Sequence, residues 1–324
     1  MMQIPTLQDV RRAAEVIAPY LRPTPLLAFA ALSRALDCQA YLKCENLQPV
    51  GAFKVRGGIN LMASLSEEER RRGVITASTG NHGQSVAYAA AHFGVPATIL
   101  VPRKPNPLKV ASMRRLGAQV VEHGRDYDEA RLEADRRAAS QGLRYIHGSN
   151  EPLLIAGVGT VSLEVMEELA DVEVIIVPIG GGSGAAGHCI VAKELNPAIQ
   201  VIGVQAERAP AVYRSWREKR IVELDSADTF AEGLATRAGY ELPLRILWER
   251  LDDMLLVSED EMRRAILYLL ETTHLLAEPA GAAPTAAAFK LGERLAGKKV
   301  VLILSGGNIT LEQLRAVMDS AAPS

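Results

Sequence analysis

From residue 74 onward the chain alternates short apolar runs with longer stretches in which apolar residues recur every three to four positions. VITAS (74–78), ATILVP (97–102), AQVVEHG (118–124) and RYIHG (144–148) are short and rich in β-branched residues. Between them lie NHGQSVAYAAAHFG, PLKVASMRRLG and DYDEARLEADRRAAS, which read as helices. Helical runs that close near a glycine and hand over to a short strand are the punctuation of βα units.

A second set follows. GTVSLEVMEELA leads to the strand VEVIIVPIG, then to a glycine run and the helix AAGHCIVAKEL. QVIGVQAE, a helix over 211–219, the loop AEGLA and the strand DMLLVS come next, then helices over 259–275 and 280–295 and the run KKVVLILSGG. Within VEVIIVPI and KVVLILS, the runs 174–179 and 300–304 are apolar throughout, as suits strands buried on both faces of a parallel sheet. No repeat or flexible linker divides the sets. The expectation is an α/β protein of two open, twisted lobes with a cleft between them. The lobes need not be sequential: residues 1–47 and 149–324 are expected to form a large lobe, and 48–148 a small one.

Composition narrows the function classes. A formal net charge of −2 offers no electrostatic footprint for nucleic acid or an anionic membrane. The apolar run at 174–179 is far too short to span a bilayer, and the N-terminus lacks the apolar core of a signal peptide. Cys38, Cys44 and Cys189 are too scattered for a disulfide framework, so a cytoplasmic protein is expected. His82, His92, His123, His147, His188 and His274 form no HExxH or His/Cys cluster, and no catalytic metal is expected.

Four loops carry candidate chemistry. In ENLQPVGAFKVRGG (45–58), Lys54 follows Ala52 and Phe53 at the opening of a helix. Apolar flanks favour a neutral amine and permit Schiff-base chemistry, although most lysines are simply solvated. In ASTGNHGQS (77–85), Ser78, Thr79, Asn81 and His82 sit between a strand and a helix. They suit a carboxylate, and equally suit capping of their own helix. The run PIGGGSGAAG (178–187) lets backbone N–H groups converge on a phosphate at a helix start. Its GSGAAG also fits the dinucleotide pattern GxGxxG, with Glu207 placed where a ribose-binding acid would stand. LSGGN (304–308) taken alone is a tight turn.

In order, GAFKVRGG, STGNHGQ, GGGSG and SGGN resemble the threonine/serine dehydratase and serine racemase family of fold-type II pyridoxal-phosphate enzymes, whose fold is like the tryptophan synthase β subunit. The resemblance runs from RPTPLL at Arg22 to Thr310, and TFAEGLATR is similar to the threonine ammonia-lyase and hydroxyectoine-utilisation branch. It implies that Lys54 carries pyridoxal 5'-phosphate through a Schiff base with Phe53 against the ring, and that Asn81 meets the ring hydroxyl. By the same resemblance Gly180, Gly181, Gly182, Ser183 and Gly184 cradle the phosphate, Ser305 faces the pyridine nitrogen and Gly233 lies over the ring. Ser78, Thr79, Asn81 and His82 would line the substrate carboxylate site, with Lys54, Ser78 and Thr79 as the catalytic set. A serine rather than a carboxylate at the pyridine nitrogen does not force its protonation, which favours β-elimination over transamination.

The implied reaction is dehydration and deamination of L-threonine, and of L-serine, to 2-oxobutyrate or pyruvate plus ammonia. Departures from the pattern matter. Thr79 stands where serine racemases carry a serine as second base, which disfavours racemisation. Gln205 and Ala211 replace the acidic residues of the family's divalent-cation site. The sequence runs only sixteen residues past Asn308, so no C-terminal regulatory domain is expected. The rivals are a dehydratase for another hydroxy amino acid, such as one derived from hydroxyectoine, a serine racemase and, more distantly, an NAD-dependent oxidoreductase. The expected partners are a small hydroxy amino acid and further copies of the chain, as a homodimer or homotetramer.

Overall fold

The apolar runs become parallel strands flanked by helices. A computed structural model describes residues 2–78 and 80–320. The strands are β1 (Leu26–Ala28), β2 (Gln39–Cys44), β3 (Val74–Ala77), β4 (Ala97–Val101), β5 (Gln119–Glu122), β6 (Arg144–Tyr145), β7 (Val174–Pro178), β8 (Gln200–Ala206), β9 (Asp253–Val257) and β10 (Lys299–Leu304). The helices are α1 (Leu7–Ile17), α2 (Ala30–Leu36), α3 (Lys54–Ser64), α4 (Glu67–Arg72), α5 (Asn81–Phe93), α6 (Pro107–Arg115), α7 (Tyr127–Gln141), α8 (Pro152–Glu168), α9 (Ser183–Leu195), α10 (Ala211–Glu218), α11 (Glu241–Arg250), α12 (Glu259–Thr273), α13 (Pro279–Leu291) and α14 (Leu311–Asp319).

Among the described residues the strands form two sheets. One has the order β1-β2-β10-β7-β8-β9 and the other β5-β4-β3-β6. Every pairing is parallel except that of β1 with β2. Val174 to Val177 of β7 are all buried, as are Val300 to Leu304 of β10, so helices cover both faces of the larger sheet. This is the α/β architecture with two open sheets that the alternation of runs predicts. The smaller sheet draws only on residues 74–145, and the larger on segments before and after it.

Helix ends follow local chemistry. Thr6, Ser66, Ser258 and Thr310 close capping boxes, so even the charged EEERRR run forms a short helix, α4, behind Ser66. The helix expected to reach residue 295 stops at Leu291, because Gly292 turns to φ +50 and a 3₁₀ turn (Gly292–Leu295) follows. Likewise α12 ends at Thr273, where His274 adopts a left-handed conformation.

Glycines set how closely the helices around the cleft approach. A Cβ on Gly157 of α8 would lie 2.8 Å from the Arg56 carbonyl oxygen of α3, and one on Gly187 of α9 would lie 2.8 Å from the Gly159 nitrogen of α8. Backbone therefore meets backbone at both crossings, and α8 holds α3 and α9 in fixed relation. Those two helices carry Lys54 and Ser183.

Candidate active site

The loops singled out in the sequence leave the C-terminal ends of parallel strands, the edge where open α/β sheets bind ligands. Residues 51–53 run beside residues 305–307. The Phe53 N–H donates to the Ser305 carbonyl at 3.0 Å, and the Gly307 N–H donates to the Gly51 carbonyl at 2.9 Å. Gly51 has φ +67 and leaves room for the Asn308 side chain. This splice delivers Lys54 as the first residue of α3. From α5, the Ser85 hydroxyl donates to the Lys54 carbonyl at 2.6 Å, in space left by Gly58.

The Lys54 ammonium donates to the Ser183 hydroxyl at 2.8 Å and to the Gly148 carbonyl at 3.1 Å, and lies 5.3 Å from the centre of the Phe53 ring. Loss of water lowers its pKa from 10.5 to about 8. With no carboxylate partner among the described residues, the amine is within reach of its neutral, nucleophilic form.

Between β3 and α5, the Ser78 hydroxyl accepts from the Gly80 N–H at 3.0 Å and the Gly83 N–H at 2.8 Å. It thus caps α5 from upstream, while its own hydrogen remains available to a ligand. His82 is buried, and Nε2 lies 2.9 Å from the Thr76 hydroxyl, whose hydrogen goes to the Ile146 carbonyl at 2.7 Å. By elimination Nε2 carries the ring hydrogen, and Nδ1, which has no partner among the described residues, is an acceptor. Burial, aided by the charges of Lys54 and His147, lowers the His82 pKa to about 3, so the ring is neutral. Thr79 lies outside the described residues.

The glycine run joins β7 to α9. A Cβ on Gly180 would meet the Gly233 carbonyl oxygen at 2.2 Å, one on Gly181 the Ser149 hydroxyl at 1.9 Å, and one on Gly184 the Phe53 ring at 3.1 Å. Gly182, at φ +94, forms the N-cap of α9 and makes no side-chain cap hydrogen bond. The start of α9 therefore presents N–H groups with no side-chain cap among the described residues.

Phe53, Lys54, Ser78, Asn81, His82, Gly180, Gly181, Gly182, Ser183, Gly184, Gly233 and Ser305 all line one cavity. Glu207 does not: it follows β8 at the surface and pairs with Lys290 at 3.4 Å, so the dinucleotide reading loses its acid. Gln205 turns inward, where its side-chain Oε1 accepts from the Tyr213 N–H at 2.9 Å.

Three charged residues of the cavity escaped the sequence reading: Glu278, Lys109 and Glu232. Glu278 is the N-cap residue of α13, yet it does not cap that helix. It accepts instead from Asn81 Nδ2 at 2.6 Å, while Asn81 Oδ1 accepts from Asn308 Nδ2 at 2.9 Å. Asn81 is thus fixed from both sides. Burial raises the Glu278 pKa, against the opposing effects of Lys109 and the Asn81 hydrogen bond. A glutamate before a proline at a helix start reads as a local cap, and no local pattern reveals a partner 197 residues away.

Known proteins resemble this chain in sequence and fold. A family described as pyridoxal-phosphate dependent enzyme matches residues 17–306. The L-threonine ammonia-lyase of Thermotoga maritima is 42% identical over 97% of this chain and 78% of its own length. The L-threo-3-hydroxyaspartate ammonia-lyase of Saccharomyces cerevisiae is 38% identical over 96% of each chain. Among solved structures, maize serine racemase superposes with a TM-score of 0.92 at 31% identity, covering 98% of both chains. On the extent of the family match and the likeness to these relatives, the chain belongs to the pyridoxal-phosphate dependent enzymes.

Proposed function

We propose that this chain removes water and then ammonia from L-threonine, and from L-serine, giving 2-oxobutyrate or pyruvate. The observation that carries the reading is the setting of Lys54: a desolvated amine 2.8 Å from the first hydroxyl of a helix whose N-terminus is uncapped.

The residues present fit pyridoxal phosphate. A phosphorylated aldehyde needs an amine and an anion seat side by side, and Lys54 and the glycine run of 180–184 supply both. Bound there, the cofactor supplies an electron sink that makes the α-hydrogen of an amino acid acidic.

The chain's own groups do the rest. The N-terminus of α5 and the Ser78 hydroxyl hold the substrate carboxylate, since both line the cavity and carry donors. Neutral His82 adds an acceptor without adding charge. Lys54 Nζ, with a pKa lowered to about 8, takes the α-proton and can return it. The β-hydroxyl leaves with a proton as water. The enamine released then takes up one water and yields the 2-oxo acid and ammonium, so the reaction consumes no net water. Ser305 contributes a neutral hydroxyl to the cavity.

We assign residues 1–47 and 149–324 to a large lobe and 48–148 to a small one, a division supported by the smaller sheet's origin within 74–145. A homodimer or homotetramer is proposed from the family resemblance. A cytoplasmic setting is supported by three buried free cysteines. Among the described residues no helix is long and apolar enough to cross a membrane.

The test is the absorbance spectrum of the purified protein, followed by coupled detection of 2-oxobutyrate after adding L-threonine. A visible cofactor band lost in Lys54→Ala, with oxo-acid release in the unmodified protein, is the expected result. A band without turnover of threonine or serine would move the substrate to another hydroxy amino acid. Absence of a band after adding pyridoxal phosphate would overturn the reading.

A further inference from the structure

A cation and a carboxylate meet at the cavity beyond the residues assigned above. Lys109 stands in the first turn of α6, beside the smaller sheet, and is 7% exposed. Glu232 opens the 3₁₀ turn Glu232–Leu234, which packs against α13 on the larger sheet's side. Lys109 Nζ and Glu232 Oε2 form an ion pair between the two sides. The ammonium also lies against the loop expected to hold the substrate carboxylate, since a Cβ on Gly80 would come within 3.0 Å of Nζ.

Among the described residues lining the cavity, Lys54 and Lys109 are the cationic side chains. A buried ammonium favours whichever carboxylate reaches it, and here Glu232 already does. A hydroxy amino acid with a neutral side chain leaves this pair undisturbed. One with a second carboxylate must displace Glu232, and also meets the charges of Glu232 and Glu278. We propose that Glu232, by occupying Lys109, makes the cavity select hydroxy amino acids with neutral side chains over those with a second carboxylate. The inference rests on the elimination reading above and deepens it by naming what sets the charge of the accepted side chain.

The test compares kcat/KM of the holoenzyme for L-threonine and L-threo-3-hydroxyaspartate in the unmodified protein, Glu232→Gln and the double variant Lys109→Met/Glu232→Gln. Freeing Lys109 in Glu232→Gln is expected to raise the hydroxyaspartate-to-threonine ratio by roughly tenfold to a hundredfold, the scale of one charge-assisted hydrogen bond. The double variant should lose that gain. Where a variant does not turn over, dissociation constants of L-aspartate and L-alanine, read from the cofactor's absorbance, give the same comparison. If Glu232→Gln fails to fold, Glu232→Ala takes its place. A ratio unchanged on removing Glu232, or a gain that survives loss of Lys109, overturns the proposal. Failure of the unmodified protein to turn over any hydroxy amino acid would count against the elimination reading alone, because the binding ratio can still be measured.

Discussion

The guanidinium of Arg56 meets the carboxylate of Glu45 as a fork, Nε to Oε2 at 2.8 Å and Nη2 to Oε1 at 2.7 Å, with both side chains buried. Arg56 lies two residues beyond Lys54, so this fork anchors the helical turn that presents the amine. Glu164 of α8 takes the other edge of the guanidinium and also pairs with Lys43 Nζ at 2.6 Å. Two cations thus balance two carboxylates in the core beneath the cavity.

Breaking one member of such a network strands charge rather than merely losing a bond. Arg56→Met leaves two carboxylates facing Lys43 alone and should lower unfolding free energy by about 3–5 kcal/mol. Arg56→Lys keeps the charge but not the fork, and should fall between. Urea denaturation midpoints of the three proteins provide the check. A loss below about 1 kcal/mol in Arg56→Met would mean the network is not what holds α3.

The same pair predicts an acid response. Burial alone would raise the Glu45 pKa, but the charge and hydrogen bonds of Arg56, with Thr24 and Lys43, hold it below the ordinary 4.5. A carboxyl whose folded pKa is depressed contributes its full stability above the unfolded value. That contribution is lost as pH falls below 4.5 and through the folded pKa. The stability gap between unmodified protein and Arg56→Met should therefore narrow as pH falls below 4.5. A gap that does not change with pH would argue against the coupling.

These features show what the sequence could and could not reveal. Strands such as β7 and β10 were legible because burial on both faces leaves an unbroken apolar run, a purely local signal. Lys54, the loop at 77–85 and the glycine run were legible because their chemistry is concentrated in a few adjacent residues. Glu278, Lys109 and Glu232 were not, because each has its meaning in a partner more than a hundred residues away. The fork of Arg56 and Glu45 was hidden for a related reason, since a charged residue near a motif gives no sign that it will be buried. Local physics also left a real ambiguity at residues 182–187: a glycine-rich helix start suits a dinucleotide as well as a single phosphate. The position of Glu207 outside the cavity and that of Lys54 beside the run separate the two.

Desolvation of Lys54 should be visible in its reactivity. Neutral amine is the reactive form, and its fraction rises through pH about 8 instead of 10.5. Cofactor-free protein treated with an amine-specific reagent across pH 6–10 is expected to label Lys54 with a midpoint near 8, while surface lysines follow near 10. Peptide mass spectrometry separates the sites. A Lys54 midpoint near 10 would remove the electrostatic basis for its role.

The glycine run should tolerate no side chain at its closest approach. At Gly180 an added Cβ meets a backbone oxygen, that of Gly233, at 2.2 Å, and backbone cannot rotate aside as a side chain does. Gly180→Ala must push the run away from Gly233 and disturb the anion seat. Overpacking of this kind costs about 1–3 kcal/mol, so pyridoxal phosphate should bind roughly ten- to a hundredfold more weakly. Absorbance titration of the apoprotein measures this directly. Unchanged affinity would show that the seat does not depend on that contact.

Three histidines make the fold sensitive to mildly acidic conditions, in a window that opens above that of Glu45. Burial lowers the pKa of His82 from 6.5 to about 3 and those of His147 and His188 from 6.5 to about 4. Because the folded pKa values are depressed, the unfolded chain takes up protons first. The stability due to each neutral ring is complete above pH 6.5 and declines as pH falls below it, down to the folded pKa. Between pH 7 and pH 5 each should cost about 2 kcal/mol by linkage. His188→Gln offers the cleaner test, since His188 is packed between α8 and α9, where its Nδ1 lies 2.5 Å from the Ser162 hydroxyl, away from the cavity. Glutamine cannot protonate, so that variant should be less stable at pH 7 yet lose about 2 kcal/mol less than the unmodified protein on going to pH 5. Parallel losses in the two proteins would mean that His188 is already able to take a proton in the folded state.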